Sequence, residues 1–425
     1  MKIETLKKSH LKRNIIIGVV TILIISAVIL NFTKAKYRVT QSIPLVNGTI
    51  NYSLADLNIV AITVDGENVD SIPDGNYKLT ENSYCTVNGE KDRNITINYD
   101  SNTKTLNVTP FTTKGTKCYL DFVEYIPLMK DILLSNYPTV LTRSDFSTTI
   151  TNTTTGTIYK SLDERQYDND GEVYYFAGNP TDNWVYFANF YWRIIRINGD
   201  GTIRLIYQGN SATATGTEMQ IRTSAFNSSY NDNAYVGFKY TNNNVHGTGT
   251  NSTILGVLNN WYSSNLANYA DDIDTNAGFC NDRQPSTSSS STNNQGGTGS
   301  TTTYYAGYIR LYKNKQPTFE CTNNRDLFTI SNASKGNKAL QYPIGLITAD
   351  EVAYAGGVWD INNTSYYLYT GQYYWTMSPS NYYNNALVFI VDANGDLDST
   401  NVELSNGYGV RPVINLKADV TISSG

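Results

Sequence analysis

Apolar and polar residues alternate in short runs over most of this chain, the period-two pattern of strands with one covered face. Between residues 40 and 125 the runs are Asn58–Val64, Tyr84–Val87, Asn94–Tyr99, Thr105–Val108 and Lys117–Phe122. Asp65-Gly66, Asp74-Gly75 and Asn88-Gly89 punctuate them at hairpin spacing, which predicts a small all-β sandwich. A second unit is expected over 158–425. Its strongest signal is the pair of runs Trp192–Ile197 and Thr202–Tyr207, turned by Asn198-Gly-Asp-Gly201. Alternation there sets Trp192, Ile194 and Arg196 on one face and Arg193, Ile195 and Ile197 on the other, so both faces are expected to be covered. The pattern changes to helical spacing over Ser252–Tyr269, where Ile254, Leu255, Leu258, Trp261, Tyr262, Leu266 and Tyr269 share a side. Thr348-Ala-Asp-Glu351 is a capping box opening a short helix that ends at Gly356-Gly357. The stretch Tyr373–Leu416 predicts a meander: an aromatic strand ending in Trp375, alternating runs over Ala386–Asp392 and Asp398–Leu404, and a last run Gly409–Leu416.

Two stretches break the alternation by polarity. Residues 126–157 hold a short helix-like patch and a Thr/Ser/Asn-rich tract, expected to be a linker. Residues 284–303 are a Ser/Thr/Gly/Asn tract with little to bury, expected to be a flexible insertion. One stretch breaks it by hydrophobicity. After the basic flank 1–13, residues 14–33 carry no charge and just suffice to cross a bilayer as a helix. The excess of Lys and Arg before this run places the N-terminus in the cytoplasm and predicts a single-pass signal-anchor; a cleaved signal peptide is the alternative.

Composition narrows the class. Of 425 residues only 16% are charged, 34 are tyrosine, and the net charge is −5. Outside the N-terminal flank no basic run occurs, which argues against nucleic-acid binding. All four cysteines follow the apolar run, where an oxidising space favours disulfides, and the expected pairs are Cys85–Cys118 and Cys280–Cys321. His10 and His246 are the only histidines, and His246 sits in an Asn/Gly loop that suggests a solvated side chain. No nucleophile elbow, zinc-protease motif or phosphate loop is present, so no catalytic residue is expected.

The order hairpin, helix, stapled insertion, strand, short helix and meander is carried by particular residues. Trp192-Arg-Ile-Ile-Arg196, Trp261-Tyr262, Leu346–Val352, Trp375-Thr-Met-Ser-Pro379 and Gly409-Val-Arg-Pro-Val-Ile414 together resemble a family of membrane-anchored surface proteins of low-GC Gram-positive bacteria, many from the gut. The C-terminal domain of that family, of unknown function, looks like a divergent C-type-lectin-like fold akin to the formylglycine-generating-enzyme branch. The resemblance implies an N-terminal transmembrane helix, a β-sandwich and an α+β C-type-lectin-like domain whose last loops form a display surface. It does not carry the formylglycine-generating chemistry over, because Cys280 and Cys321 flank a polar insertion instead of forming a reactive pair.

On that display surface the candidate ligand-binding residues are Tyr382, Tyr383, Asn384, Asn385, Asn406 and Tyr408, since Tyr and Asn supply contact area and adaptable hydrogen bonds. Asp392, Asn394, Asp396, Asp398 and Glu403 echo the spacing of a calcium loop, although Leu397 stands where the turning glycine belongs. A plain hairpin turn explains Asn394-Gly395 equally well, so no cofactor is required and calcium is the candidate. Trp375 is expected in the core, and Arg411 as a donor tying the last strand to a loop. The expectation is a non-catalytic, membrane-anchored extracellular protein binding a carbohydrate or protein. The alternatives are an envelope-associated structural protein without a specific ligand and an extracellular enzyme.

Overall fold

The computed structural model describes residues 58–420 except 74, 101–104, 110–114, 126–127 and 287–295. The expected anchor at 14–33 lies outside the described residues, among which no helix is long and apolar enough to cross a membrane. The described residues are β-rich and divide into two compact units, with the boundary after residue 125.

The first unit has eight described strands: β1 (Asn58–Val64), β2 (Glu67–Val69), β3 (Tyr77–Leu79), β4 (Tyr84–Val87), β5 (Glu90–Lys91), β6 (Thr96–Asp100), β7 (Thr105–Thr109) and β8 (Thr116–Glu124). Six of them form one mixed sheet in the order β2-β1-β8-β4-β5 with β3 also on β8, while β6 and β7 pair as a separate ribbon. The ribbon contributes Ile97, Tyr99 and Leu106 to a core around Ile62, Leu120 and Phe122. The two layers are therefore unequal in size. Register sets Cys85 directly opposite Cys118, and the two are joined as a disulfide.

The second unit begins with the helix Met129–Asn136, then β9 (Thr139–Leu141), β10 (Thr157–Lys160), β11 (Tyr174–Tyr175), β12 (Trp184–Phe187), β13 (Phe190–Ile197) and β14 (Ile203–Gly209). The stretch expected to be a linker is thus part of the fold. Met129, Leu133 and Tyr137 enter the main core, and β9 pairs with β10. The buried guanidinium of Arg143 donates to the carbonyls of Asp145, Thr148 and Ala353. Polarity of side chains misled here because backbone carbonyls, collected by one arginine, hold the segment down.

Further along come β15 (Arg222–Thr223), β16 (Lys239–Tyr240), β17 (Thr250–Asn251), the helix Thr253–Asn265, β18 (Phe279–Cys280), β19 (Thr303–Tyr304), β20 (Leu327–Phe328) and the helix Ala349–Ala355. Ser252 caps the longer helix through the Leu255 N–H, and its apolar stripe buries Ile254, Leu255, Leu258 and Tyr262. Thr348 and Glu351 form the expected capping box, and Gly356 ends that helix in the left-handed region. The described end of the insertion, from residue 296 on, is held by the fold. The side-chain amide of buried Asn233 donates to the carbonyls of Gly299 and Thr301, and β19 pairs onto the meander. Its base carries the Cys280–Cys321 disulfide.

The meander is β21 (Tyr374–Tyr382), β22 (Ala386–Val391), β23 (Leu397–Asn401), β24 (Gly409–Val410) and β25 (Val413–Leu416). The first strand starts where the sequence suggested it would stop, and it runs through Pro379. That proline sits where the register with β22 shifts, so its missing N–H breaks no regular ladder. The last run, expected as one strand, serves two sheets. β24 joins the six-stranded sheet β15-β24-β21-β22-β23, with β19 on β21, whereas β25 closes the seven-stranded sheet β25-β14-β13-β11-β10-β9, with β12 on β13.

Candidate functional site

β21 and β22 bury side chains on both faces, so the turn joining them is presented on a fixed base. In that turn the Tyr383 N–H donates to the Asn385 carbonyl at 3.2 Å, and Asn384 takes a φ of 64°, a region asparagine enters more readily than most residues. Tyr383 is 60% exposed and Asn384 is exposed, while Asn385 is half-buried. Tyr382 is not a surface residue. It is 3% exposed, lies between Ala386 and Thr303 in the sheet, and packs in the core. Beside the turn, the exposed Tyr230 accepts the Ala386 N–H through its carbonyl at 2.8 Å. No charged side chain occurs from Ser380 to Val391, so the turn itself is aromatic, amide-rich and uncharged, with the Asp232 carboxylate near Tyr382 at its side.

Asn406 and Tyr408 do not join it. Tyr408 stacks on Trp375 at 5.1 Å and leans on Tyr373 at 5.3 Å, at the start of β21. The nine residues of β21 separate that end from Tyr383 by roughly 26 Å. The expected continuous face is therefore two patches. Asn406 is exposed near the second, which also presents Tyr373. Trp375 itself is fully buried and donates its indole N–H to the Ser224 carbonyl, as a core residue should.

The acidic residues also separate. Asp392, Asn394 and Asp396 share the β22–β23 turn, where the Asn394 N–H and side-chain amide donate to the Asp392 carboxylate. Burial, reinforced by the neighbouring Asp392, pushes the Asp396 carboxyl up to about 7, and burial also raises Asp398. Glu403 follows the far end of the five-residue β23, roughly 16 Å away. The five residues thus do not close one chelating loop, because the chain extends as a strand where a calcium loop would curl. Among the described residues no group of three or more His, Cys, Asp or Glu side chains is placed to hold a metal.

Three buried ionic clusters escaped the sequence; one is Arg310, held between the buried carboxylates of Asp282 and Asp350 at 2.8 and 2.9 Å. Glu351 Oε1 lies 2.5 Å from Arg204 Nε and 3.1 Å from Arg196 Nε, and Asp168 stands 3.6 Å from Arg196. Burial pulls Arg204 down to about 10, with Glu351 opposing, so the arginine stays charged at neutral pH. The cluster lines a cleft beside Cys280–Cys321 of about 30 Å³, room for roughly two waters and for no sugar. The third cluster corrects His246, expected to be solvated. Its Nδ1 lies 2.9 Å from Asp326 Oδ2, and Asp326 also accepts from Arg283. Asn323 sits at 3.3 Å from His246 Nε2, so both ring nitrogens have protein neighbours. Only the charge of these residues inside otherwise apolar runs, as at Arg196 and Arg204, hinted at burial in pairs.

No family model, curated protein or solved structure matches this chain.

Proposed function

We propose that this chain is a single-pass, membrane-anchored protein of the cell surface. Its C-terminal unit would be a divergent C-type-lectin-like domain that binds a carbohydrate or protein ligand without catalysing a reaction. The observation that carries this reading is the neutral, exposed Tyr383–Asn384 turn on a hairpin buried on both faces. A turn held this way loses little freedom on binding, and an aromatic ring beside free amides suits the apolar face and hydroxyls of a saccharide. The pairing of all four cysteines supports an oxidising location. The return of β25 to the β13–β14 hairpin, with helices and the strands β21–β24 between, supports the lectin-like fold. The fold by itself names no ligand, so the argument rests on the turn.

The test is a glycan array and a pull-down with the soluble ectodomain, in wild-type form and with Tyr383→Ala plus Asn384→Ala. A ligand whose binding survives both substitutions would move the site elsewhere. A protein that captures nothing in either format would instead be structural. Free thiols at Cys85 and Cys118 in non-reducing mass spectrometry would reject the extracellular assignment.

A further inference from the structure

Aromatic rings that no site above uses run as a stripe along one surface of the second unit. Tyr304, Tyr308 and Tyr312 recur at every fourth position, with neighbouring ring centroids 4.9 and 5.0 Å apart. Trp359 closes on Tyr308 at 6.0 Å and on Tyr312 at 5.2 Å. All of these side chains are half-buried, so each keeps part of its surface open. Pairing sets Tyr304 opposite Asn381, on the sheet face away from buried Tyr382. From there the helical turn Ala306–Tyr308 runs on as a π-helix over Ile309–Asn314, a rare form that recurs at functional sites. Trp359 packs edge-on against buried Phe389 at 5.5 Å and its backbone bridges Leu397, so the stripe rests on the six-stranded sheet.

The stripe is incomplete in two ways. Its polar rim is idle: among the described residues nothing bonds the Tyr304, Tyr308 or Tyr312 hydroxyl or the Trp359 indole N–H, and none of these atoms is buried. The indole N–H groups of Trp192 and Trp375, by contrast, both donate to carbonyls. Exposed Lys313 adds its ammonium to the same rim, 4.3 Å from the centre of the Tyr312 ring. Beside Trp359 there is also a hollow of about 10 Å³ lined by Leu311, Val358, Leu397 and Lys315, room for one group of about a water's size. The exposed Asp360, next in the chain, lies beside Lys315.

We propose that Tyr304, Tyr308, Tyr312 and Trp359 bind a proline-rich segment of a partner protein in the polyproline II conformation. Such a chain makes no internal hydrogen bonds and turns its carbonyls to solvent, and proline brings no N–H. It therefore presents apolar rings and acceptors without donors. The stripe is the complement: aromatic surface for the pyrrolidine rings, an indole N–H and an ammonium that only donate, and hydroxyls free to donate. A saccharide would set hydroxyl protons against Trp359 and Lys313, which accept none of them. A helix has spent its backbone acceptors internally, and an added strand needs a sheet edge. A polyproline II chain is also ordered before it docks, so little freedom is lost on binding. This surface is separate from the Tyr383 turn and stands whether or not that turn binds a ligand.

The experiment is fluorescence anisotropy of a labelled decaproline peptide titrated with the full chain in detergent, with a glycine-serine peptide of equal length as control. Decaproline binds saturably and the control does not. Trp359→Ala and Tyr308→Ala each weaken binding by at least about tenfold, as loss of an aromatic anchor does. Tyr312→Ser, beside exposed Lys313, serves where those variants do not melt like the wild type, and is expected to weaken binding too. Absence of saturable decaproline binding to the wild type overturns the proposal. Binding that survives all the ring variants overturns it as well, because the peptide then sits elsewhere. Cellohexaose bound in place of decaproline, and lost with Trp359→Ala, would make the stripe a saccharide platform and overturn it too.

Discussion

Arg411 donates both Nε and Nη2 to the carbonyl oxygen of Tyr207, at 3.3 and 3.1 Å, across 204 positions of sequence. Its Nη1 reaches the Leu368 carbonyl at 3.2 Å, and its guanidinium lies over the Tyr374 ring at 4.9 Å. The residue stands where the chain leaves β24 in one sheet for β25 in the other. Burial lowers its pKa, with Tyr374 opposing, and its counter-groups are carbonyl dipoles and phenols. One planar cation therefore pins the crossing point of the two sheets, which is the structural role its place in Gly409–Ile414 suggested.

Replacing it tests that role. Arg411→Met is expected to cost about 2–4 kcal/mol, because three carbonyl hydrogen bonds go and the carbonyls stay buried. Arg411→Lys should recover only part of this, since an ammonium cannot span both carbonyls as the fork does. Urea unfolding curves give the comparison.

Glu351 is the shared counter-ion of Arg196 and Arg204. Glu351→Gln keeps an acceptor for the Thr348 capping box but leaves two buried arginines facing only Asp168. A loss of about 3–5 kcal/mol is expected, far above the effect of losing a cap. A loss under about 1 kcal/mol in chemical denaturation would show that the pair is not a stabilising anchor.

The pH dependence follows from Asp396, whose carboxyl is pushed from 3.8 up to about 7. The folded state then holds a proton more tightly than the unfolded state. Its contribution is complete below the unfolded pKa and is lost as pH rises through about 7. Without divalent ions the wild type should therefore melt at lower temperature at pH 8 than at pH 5.5. Asp396→Asn should flatten that slope and exceed the wild type at pH 8. Asp398, raised by burial as well, adds a smaller slope of the same sign. Melting temperatures across pH with a chelator present provide the check.

At the turn, Tyr383→Ala should lower affinity for a ligand of the tip by at least about tenfold while changing stability by less than about 0.5 kcal/mol. Asn384→Gly should be tolerated, and Asn384→Val should destabilise by about 1 kcal/mol or more, because a β-branched residue resists a φ of 64°. Binding measured beside melting separates the two effects.

By itself the sequence determined the local elements and the covalent frame. Asn58–Val64 and Tyr84–Val87 are strands, Thr348–Glu351 caps a helix, and Cys85–Cys118 and Cys280–Cys321 pair, each as expected. These follow from period, capping chemistry and cysteine count, which act over a few residues or through one covalent bond. Only tertiary structure decided that Gly409–Leu416 is divided between two sheets, and that Tyr382 is core while Tyr383 is surface. It also decided that Tyr408 and Tyr383 lie at opposite ends of one strand. Neighbours in sequence share composition, but burial is set by what packs against each face. The acidic run shows the same limit: identical spacing makes a loop or a strand, and here pairing of β23 with β22 drew Glu403 away from Asp392 and Asp396.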